Sequence, residues 1–257
     1  MQEIFYVLIF VVALATYLYL TSPSFKGAVG ESRVDSRLRS QLDEQAYKIL
    51  GDLTLPTKGG TTQIDHVVVS PYGIFVIETK NMKGWIFGGE KQARWTVVLH
   101  RHKSQFQNPL RQNYKHIKVI QELLGIEMHQ LHNVVAFVGS AEPKTDMPEN
   151  VLWSNRQLSN YVKSKHKVLF TENEVRSFAN RLSKNSLESN RQTRRDHVRH
   201  VKARATERKN NTMPTLQRYN GREIQPKIWR KISWVLSVPQ VQRDAEISVN
   251  GQRAASV

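Results

Sequence analysis

The sequence predicts an α/β domain, a mixed sheet flanked by helices, preceded by one membrane-spanning helix and followed by a basic tail. Three observations carry this. Residues 4–20 (IFYVLIFVVALATYLYL) contain no charge. Residues 63–80 form two apolar arms joined by Ser70-Pro71-Tyr72-Gly73, the pattern of two strands around a tight turn. Stretches with helical spacing precede and follow that hairpin in the chain, which points to layers of helix on sheet.

Taken in order, residues 4–20 would reach about 26 Å as a helix, close to the thickness of a bilayer core. The uncharged run continues to Phe25, so the span is expected over 4–25. Met1-Gln2-Glu3 lacks a basic start and no Ala-x-Ala site follows, which favours a retained anchor over a cleaved secretory signal. Lys26, Arg33, Arg37 and Arg39 follow the span closely. An excess of Lys and Arg marks the cytoplasmic side, so a single-pass protein with everything after residue 26 in the cytoplasm is expected.

Residues 27–51 read as a helix. Val34, Leu38 and Leu42 recur at four-residue spacing, Ala46 and Ile49 continue the stripe, and Gly51 would end it. Glu31 shares the apolar face with Val34 and Leu38. On spacing alone it reads as a first-turn glutamate that complements the helix dipole. Leu53–Leu55 is a short strand and 58–62 a loop. That loop lacks the spacing and the Gly-Lys-Ser/Thr ending of a phosphate-binding loop. Beyond Lys80, residues 84–88 and 95–99 read as two further strands of the same sheet. Asn108-Pro109, a good cap and a good first residue, opens a helix to about Leu124. Residues 133–139 are a buried strand and 151–153 a last short one. Two helices over 157–165 and 171–182 close the domain, the second with Thr171 as cap and Glu174 at its third position. The layered domain thus covers 27–182, and 183–257 forms the tail.

The 257 residues carry 38 Lys and Arg against 22 Asp and Glu, a net charge of +16. That balance suits nucleic acid or an anionic membrane surface. Residues 184–257 hold 16 of the basic and 6 of the acidic residues, so the tail carries most of the excess. Cysteine is absent, which excludes disulfides and thiolate metal sites.

The hairpin poses an electrostatic problem. With Pro71 and Tyr72 at the tip, Ser70 faces Gly73 and Asp65 comes directly opposite Glu78. Lys80, two residues on, projects from the same face. Opposed carboxylates repel and destabilise a strand pair. In otherwise apolar strands they call for a compensating partner, and a divalent cation is the natural one, because hard cations take carboxylate oxygens.

The spacing Asp65-x12-Glu78-x-Lys80 resembles the PD-(D/E)xK nuclease superfamily. Gly30-Glu31, residues 63–69, 73–81 and 84–88, Trp95 and Asn108-Pro109-Leu110-x-Gln112-Asn113 come in the order and spacing of the nuclease-related domain, the NERD family. The resemblance covers roughly residues 27–140. It implies a restriction-endonuclease-like fold and a nuclease dependent on Mg²⁺ or Mn²⁺, with DNA favoured over RNA. By position it implies that Asp65, Glu78 and Glu31 hold the metal, that Lys80 orients water and stabilises developing charge, and that Gln112 matches the family's glutamine. Related nucleases often place a tyrosine four residues after such a glutamine; here that place is His116. The alternative is a catalytically weak or inactive nucleic-acid-binding module.

Other candidates read as structure. The pairs His129/His132 and His197/His200 lack a third ligand nearby. His66 falls on the strand face opposite Asp65, and Trp85 and Trp95 read as sheet packing. The basic run 191–209 is a solvated segment or a nucleic-acid contact, and the basic-aromatic patch 228–238 packs on the domain or lies on a membrane.

Overall fold

The computed structural model describes residues 2–187, with Ala203 and Thr206. The expectations for the basic run 191–209, His197/His200 and the patch 228–238 lie outside the described residues. The chain divides into two compact units between residues 201 and 202, and the described strands all belong to the first.

Helix α1 (Gln2–Thr21) contains the uncharged run. Its 18-residue stretch Ile4–Thr21 has mean hydropathy 2.3 and is long and apolar enough to cross a membrane; none of it is buried against protein. Ser22 then caps helix α2 (Pro23–Gln41) by accepting from the Phe25 N–H, with Pro23 in the first turn.

Helix α2 is shorter than its apolar spacing predicts. Leu42 leaves the helix in extended conformation, and Asp43 Oδ1 accepts the Gln45 N–H in a local turn. Strand β1 (Lys48–Thr57) follows at once. Ile49 and Gly51, expected to extend and end the helix, instead pair with Val68 and His66. The apolar stripe is helical only as far as Leu42; beyond it the same residues fill a strand, where β-branched Ile49 fits well. The expected short strand 53–55 is the middle of β1. The expected loop 58–62 shrinks to a tight connection into β2 (Gly60–Ser70).

Strand β3 (Gly73–Lys80) pairs antiparallel with β2 in the anticipated register, from Ser70–Gly73 to His66–Ile77. Ser70 Oγ closes the turn by donating to the Gly73 carbonyl and accepting the Tyr72 N–H. β7 (Leu131–Phe137) lies parallel to β3, and β9 (Val151–Leu152) parallel to β7. The central sheet therefore runs β1-β2-β3-β7-β9 and is mixed.

Alternation along the strands splits the core into two layers. Val67, Val69, Ile74 and Val76 pack against α3 (Pro109–Leu124) and α5 (Glu172–Asn185). Val68, Phe75 and Ile77 pack against α2 and α4 (Asn155–Lys163). Each such side chain, fully buried, stabilises the fold by about 1.5–3 kcal/mol.

Strands β4 (Lys83–Phe87) and β5 (Arg94–Leu99) were expected in this sheet. They belong to a second one, ordered β6-β5-β4-β8, with β6 (His102–Gln107) and β8 (Ser140–Pro143). The chain leaves the central sheet after both β3 and β7. Gly84 makes the departure possible: at φ +96° a Cβ would lie 2.3 Å from the Val98 carbonyl oxygen. The second sheet packs through Ile86, Trp95 and Ala141 onto Phe137 and Leu110.

Candidate active site

The end of the β2–β3 hairpin carries the candidate residues. Residues 74 and 76 of β3 and 67 and 69 of β2 pack in the α3 layer, and alternation carries 78 and 80 to the same side. On β2 the alternation breaks at Asp65, since Ile64 also lies in the α3 layer while His66 faces α2. Glu78 and Lys80 thus share one face, and Asp65 meets them at the end of the hairpin. The backbone ladder stops at His66–Ile77, one pair short of Asp65 and Glu78. There a side chain takes over: the Thr79 N–H donates to Asp65 Oδ2 at 2.8 Å.

Glu78 is the centre of the cluster and only 3% exposed. Lys80 Nζ donates to its Oε1 at 2.5 Å and to Gln112 Oε1 at 3.2 Å. His116 Nε2 lies 3.5 Å from Glu78 Oε2, a contact at the outer limit of hydrogen bonding. The other nitrogen of that ring, Nδ1, pairs with Thr62 Oγ1 at 2.8 Å. The ring thus sits between Thr62 of β2 and Glu78 of β3.

Helix α3 delivers Gln112 and His116 one turn apart on the same face. Asn108 caps it, with Oδ1 accepting the Leu110 N–H and Nδ2 donating to the carbonyls of Gly89, Glu90 and Gln92. Asn113, fully buried, fixes its distance from the sheet. Its Nδ2 donates to Val76 O at 2.7 Å on β3, and to Asn133 Oδ1 at 2.8 Å and Val134 O at 3.1 Å on β7.

The two carboxyls titrate apart. Burial, then the charge of Glu78, pushes Asp65 well above the usual carboxylate range, against the Thr79 hydrogen bond. Burial pushes Glu78 up too, but His116 and Lys80 outweigh it and hold Glu78 below its ordinary value. Glu31, half-buried on α2, adds its charge to those raising Asp65. It reaches the site from the opposite helical layer.

The structure thus brings Asp65, Glu78, Lys80 and Gln112 together, with Glu31 acting on Asp65 through its charge. It adds Thr62 and His116, whose part the sequence left open, and Asn113. A buried asparagine on the apolar face of a helix is the signal that marks Asn113; nothing in the sequence singles out Thr62. Among the described residues, no group of three or more His, Asp or Glu side chains converges as a ready-made metal cage.

The remaining candidates fall to structure. His66 is buried on the α2 layer, with Nε2 3.8 Å from Asp35. Burial lowers its pKa to about 4, against the charge of Asp35. His132 stacks on Phe75, while His129 meets Glu127. Trp95 is buried as expected, but Trp85 is 52% exposed, with Lys144 Nζ 5.0 Å from its ring centre.

Residues 26–138 match the model of the nuclease-related domain. The chain carries a NERD domain. It starts just after α1, ends just after β7 and contains every residue of the cluster. NERD domains belong to the PD-(D/E)xK-like nuclease superfamily, and the α/β architecture with its mixed sheets flanked by helices is consistent with a nuclease-like core. An uncharacterized protein of Bacillus anthracis is 53% identical over 103 residues, which is 40% of this chain and 48% of that protein. The match spans about half the length of that relative. No solved structure matches the chain.

Proposed function

We propose that this protein is a membrane-anchored nuclease that hydrolyses phosphodiester bonds, DNA in preference to RNA, with Mg²⁺ or Mn²⁺. The observation that carries the reading is the convergence of Asp65, Glu78, Lys80 and Gln112 at the end of one hairpin inside a NERD domain. Helix α1 is the anchor. The cations that follow it favour a cytoplasmic location for the domain.

The donor set fits such an ion. Asp65 and Glu78 are hard oxygen ligands, and Glu31 is a third acid within electrostatic reach. Mg²⁺ needs only one or two carboxylates and fills its other positions with water and substrate phosphate. When bound, the ion would activate water and neutralise charge on the scissile phosphate. The protein's own groups do the rest. Thr79 N–H fixes the rotamer of Asp65. Gln112 and Glu78 hold the Lys80 amine, which positions a donor for the attacking water and for the charge that develops on phosphorus-bound oxygen. His116 steadies Glu78 from the helix side.

A second reading has its own support. Lys80 and His116 lie against the two oxygens of Glu78, as in a site used for binding alone. The full chain in detergent, given double-stranded DNA, single-stranded DNA and RNA with Mg²⁺, Mn²⁺ or chelator, separates the two. The nuclease reading expects cleavage of DNA that stops with chelator. Binding without cleavage in either metal would favour the binding module.

A further inference from the structure

A groove of about 760 Å³ opens where α1 meets the domain. Leu20 of α1, Phe25 and Val29 of α2 and Leu99 of β5 give it apolar walls, and Lys26, Arg33 and Lys83 line it as well. Its build is fixed. Asn81 Nδ2 donates to the Lys26 carbonyl at 2.7 Å, tying the start of α2 to the end of β3. Gly30 permits that approach, since a Cβ there would lie 2.8 Å from Asn81 Cβ. The Tyr19 and Phe25 rings meet at 5.4 Å across the α1–α2 junction.

Three cations from two elements line this groove, and among the described residues none has an ion-pair partner. Clustered, unneutralised cations attract an anion, and the apolar walls suit hydrocarbon beside it. The location decides which anion. The last turn of α1 ends at Thr21, so in a bilayer crossed by α1 the groove lies at the headgroup level. Basic pockets beside membrane helices on the cytoplasmic side take anionic headgroups.

We propose that this groove is a binding site for an anionic phospholipid, its phosphate held by Lys26, Arg33 and Lys83 and its upper acyl region against Leu20, Phe25 and Leu99. The assignment rests on the reading of α1 as a membrane anchor. It is separate from the nuclease chemistry, although Asn81 in the groove directly follows Lys80.

The test uses the full chain in a neutral detergent. Its melting temperature is followed as phosphatidylglycerol, phosphatidylcholine, inorganic phosphate or a DNA duplex is added. Phosphatidylglycerol should raise Tm by about 5 °C at saturation and phosphatidylcholine should not. The exposed triple variant K26Q/R33Q/K83Q should weaken that response on the order of 100-fold, while K26R/K83R keeps it. The proposal is overturned if phosphatidylcholine or inorganic phosphate acts as well as phosphatidylglycerol, if DNA displaces the lipid, or if the triple variant responds like wild type. Alkaline carbonate extraction of membranes tests the anchor independently. Protein that resists extraction yet shows no lipid preference refutes the groove alone. Protein that is extracted yet prefers phosphatidylglycerol refutes the span alone.

Discussion

Asp65 Oδ2 accepts the backbone N–H of Thr79 at 2.8 Å, on the strand that presents Glu78 one residue earlier. The bond holds one carboxylate beside another where the backbone ladder has stopped. Asp65→Asn keeps that acceptor and removes a like charge. We expect the variant to be more stable at neutral pH, by about 1 kcal/mol, and inactive. The sign follows from the raised pKa of Asp65: its ionised form costs the native state, and the cost is relieved as the pH falls. Melting curves of the two proteins at pH 7 and pH 4 check it; the gap should narrow at pH 4.

His116 touches Glu78 from α3 and is itself set by Thr62. Groups that orient a metal ligand typically matter by about 10–100-fold in metal affinity. His116→Ala should therefore raise the Mg²⁺ concentration needed for half-maximal cleavage by about that factor, with folding retained. An unchanged Mg²⁺ titration would leave His116 no part in the site.

Asn113 bridges α3 to β3 and β7 through three hydrogen bonds from one amide. Asn113→Leu strands the Val76 and Val134 carbonyls in a buried setting. The expected loss is about 2 kcal/mol, read from urea denaturation. Cleavage should fall as well, because Gln112 and His116 ride on the helix that Asn113 positions.

His66 is buried and neutral, with a pKa lowered to about 4 from 6.5. Between those values the unfolded chain takes up a proton that the native protein does not, so His66 lowers stability as the pH falls from 6.5 towards 4. At 1.36 kcal/mol per unit the full effect is about 3 kcal/mol. Asp65 works the other way over part of that range, so the comparison must be with His66→Gln. Wild type should lose more stability than the variant on acidification. Parallel curves would show that His66 is not buried in its neutral form.

The hairpin was legible because its logic is local. Ser70-Pro71-Tyr72-Gly73 sets the turn, the turn sets the register as far as His66–Ile77, and period-two alternation puts Glu78 and Lys80 on one face. The caps Asn108 and Thr171 marked α3 and α5 for the same reason. Ile49 and Gly51 misled because a four-residue apolar spacing runs on past the helix, whereas the local turn at Asp43 ends it. Strands β4 and β5 are legible as strands, but their place in the second sheet is not. Strand character is written in Trp85-Ile86-Phe87; the choice of partner depends on β8, more than fifty residues later, and on the sharp departure at Gly84. The contact between His116 and Glu78 is likewise tertiary: it needs the distance that Asn113 fixes between helix and sheet.

Glu78 stands at the centre of the proposed hydrolytic site, and a single measurement bears on it most directly. This is single-turnover cleavage of a labelled DNA duplex by the full chain in Mg²⁺, wild type against Glu78→Gln. The variant keeps the size of the side chain and its acceptor oxygen while removing the charge. We predict metal-dependent cleavage by wild type and a loss of at least about 100-fold in the variant, with DNA binding preserved. Cleavage by the variant at the wild-type rate, or cleavage by wild type that persists in chelator, would contradict a hydrolytic role for Glu78.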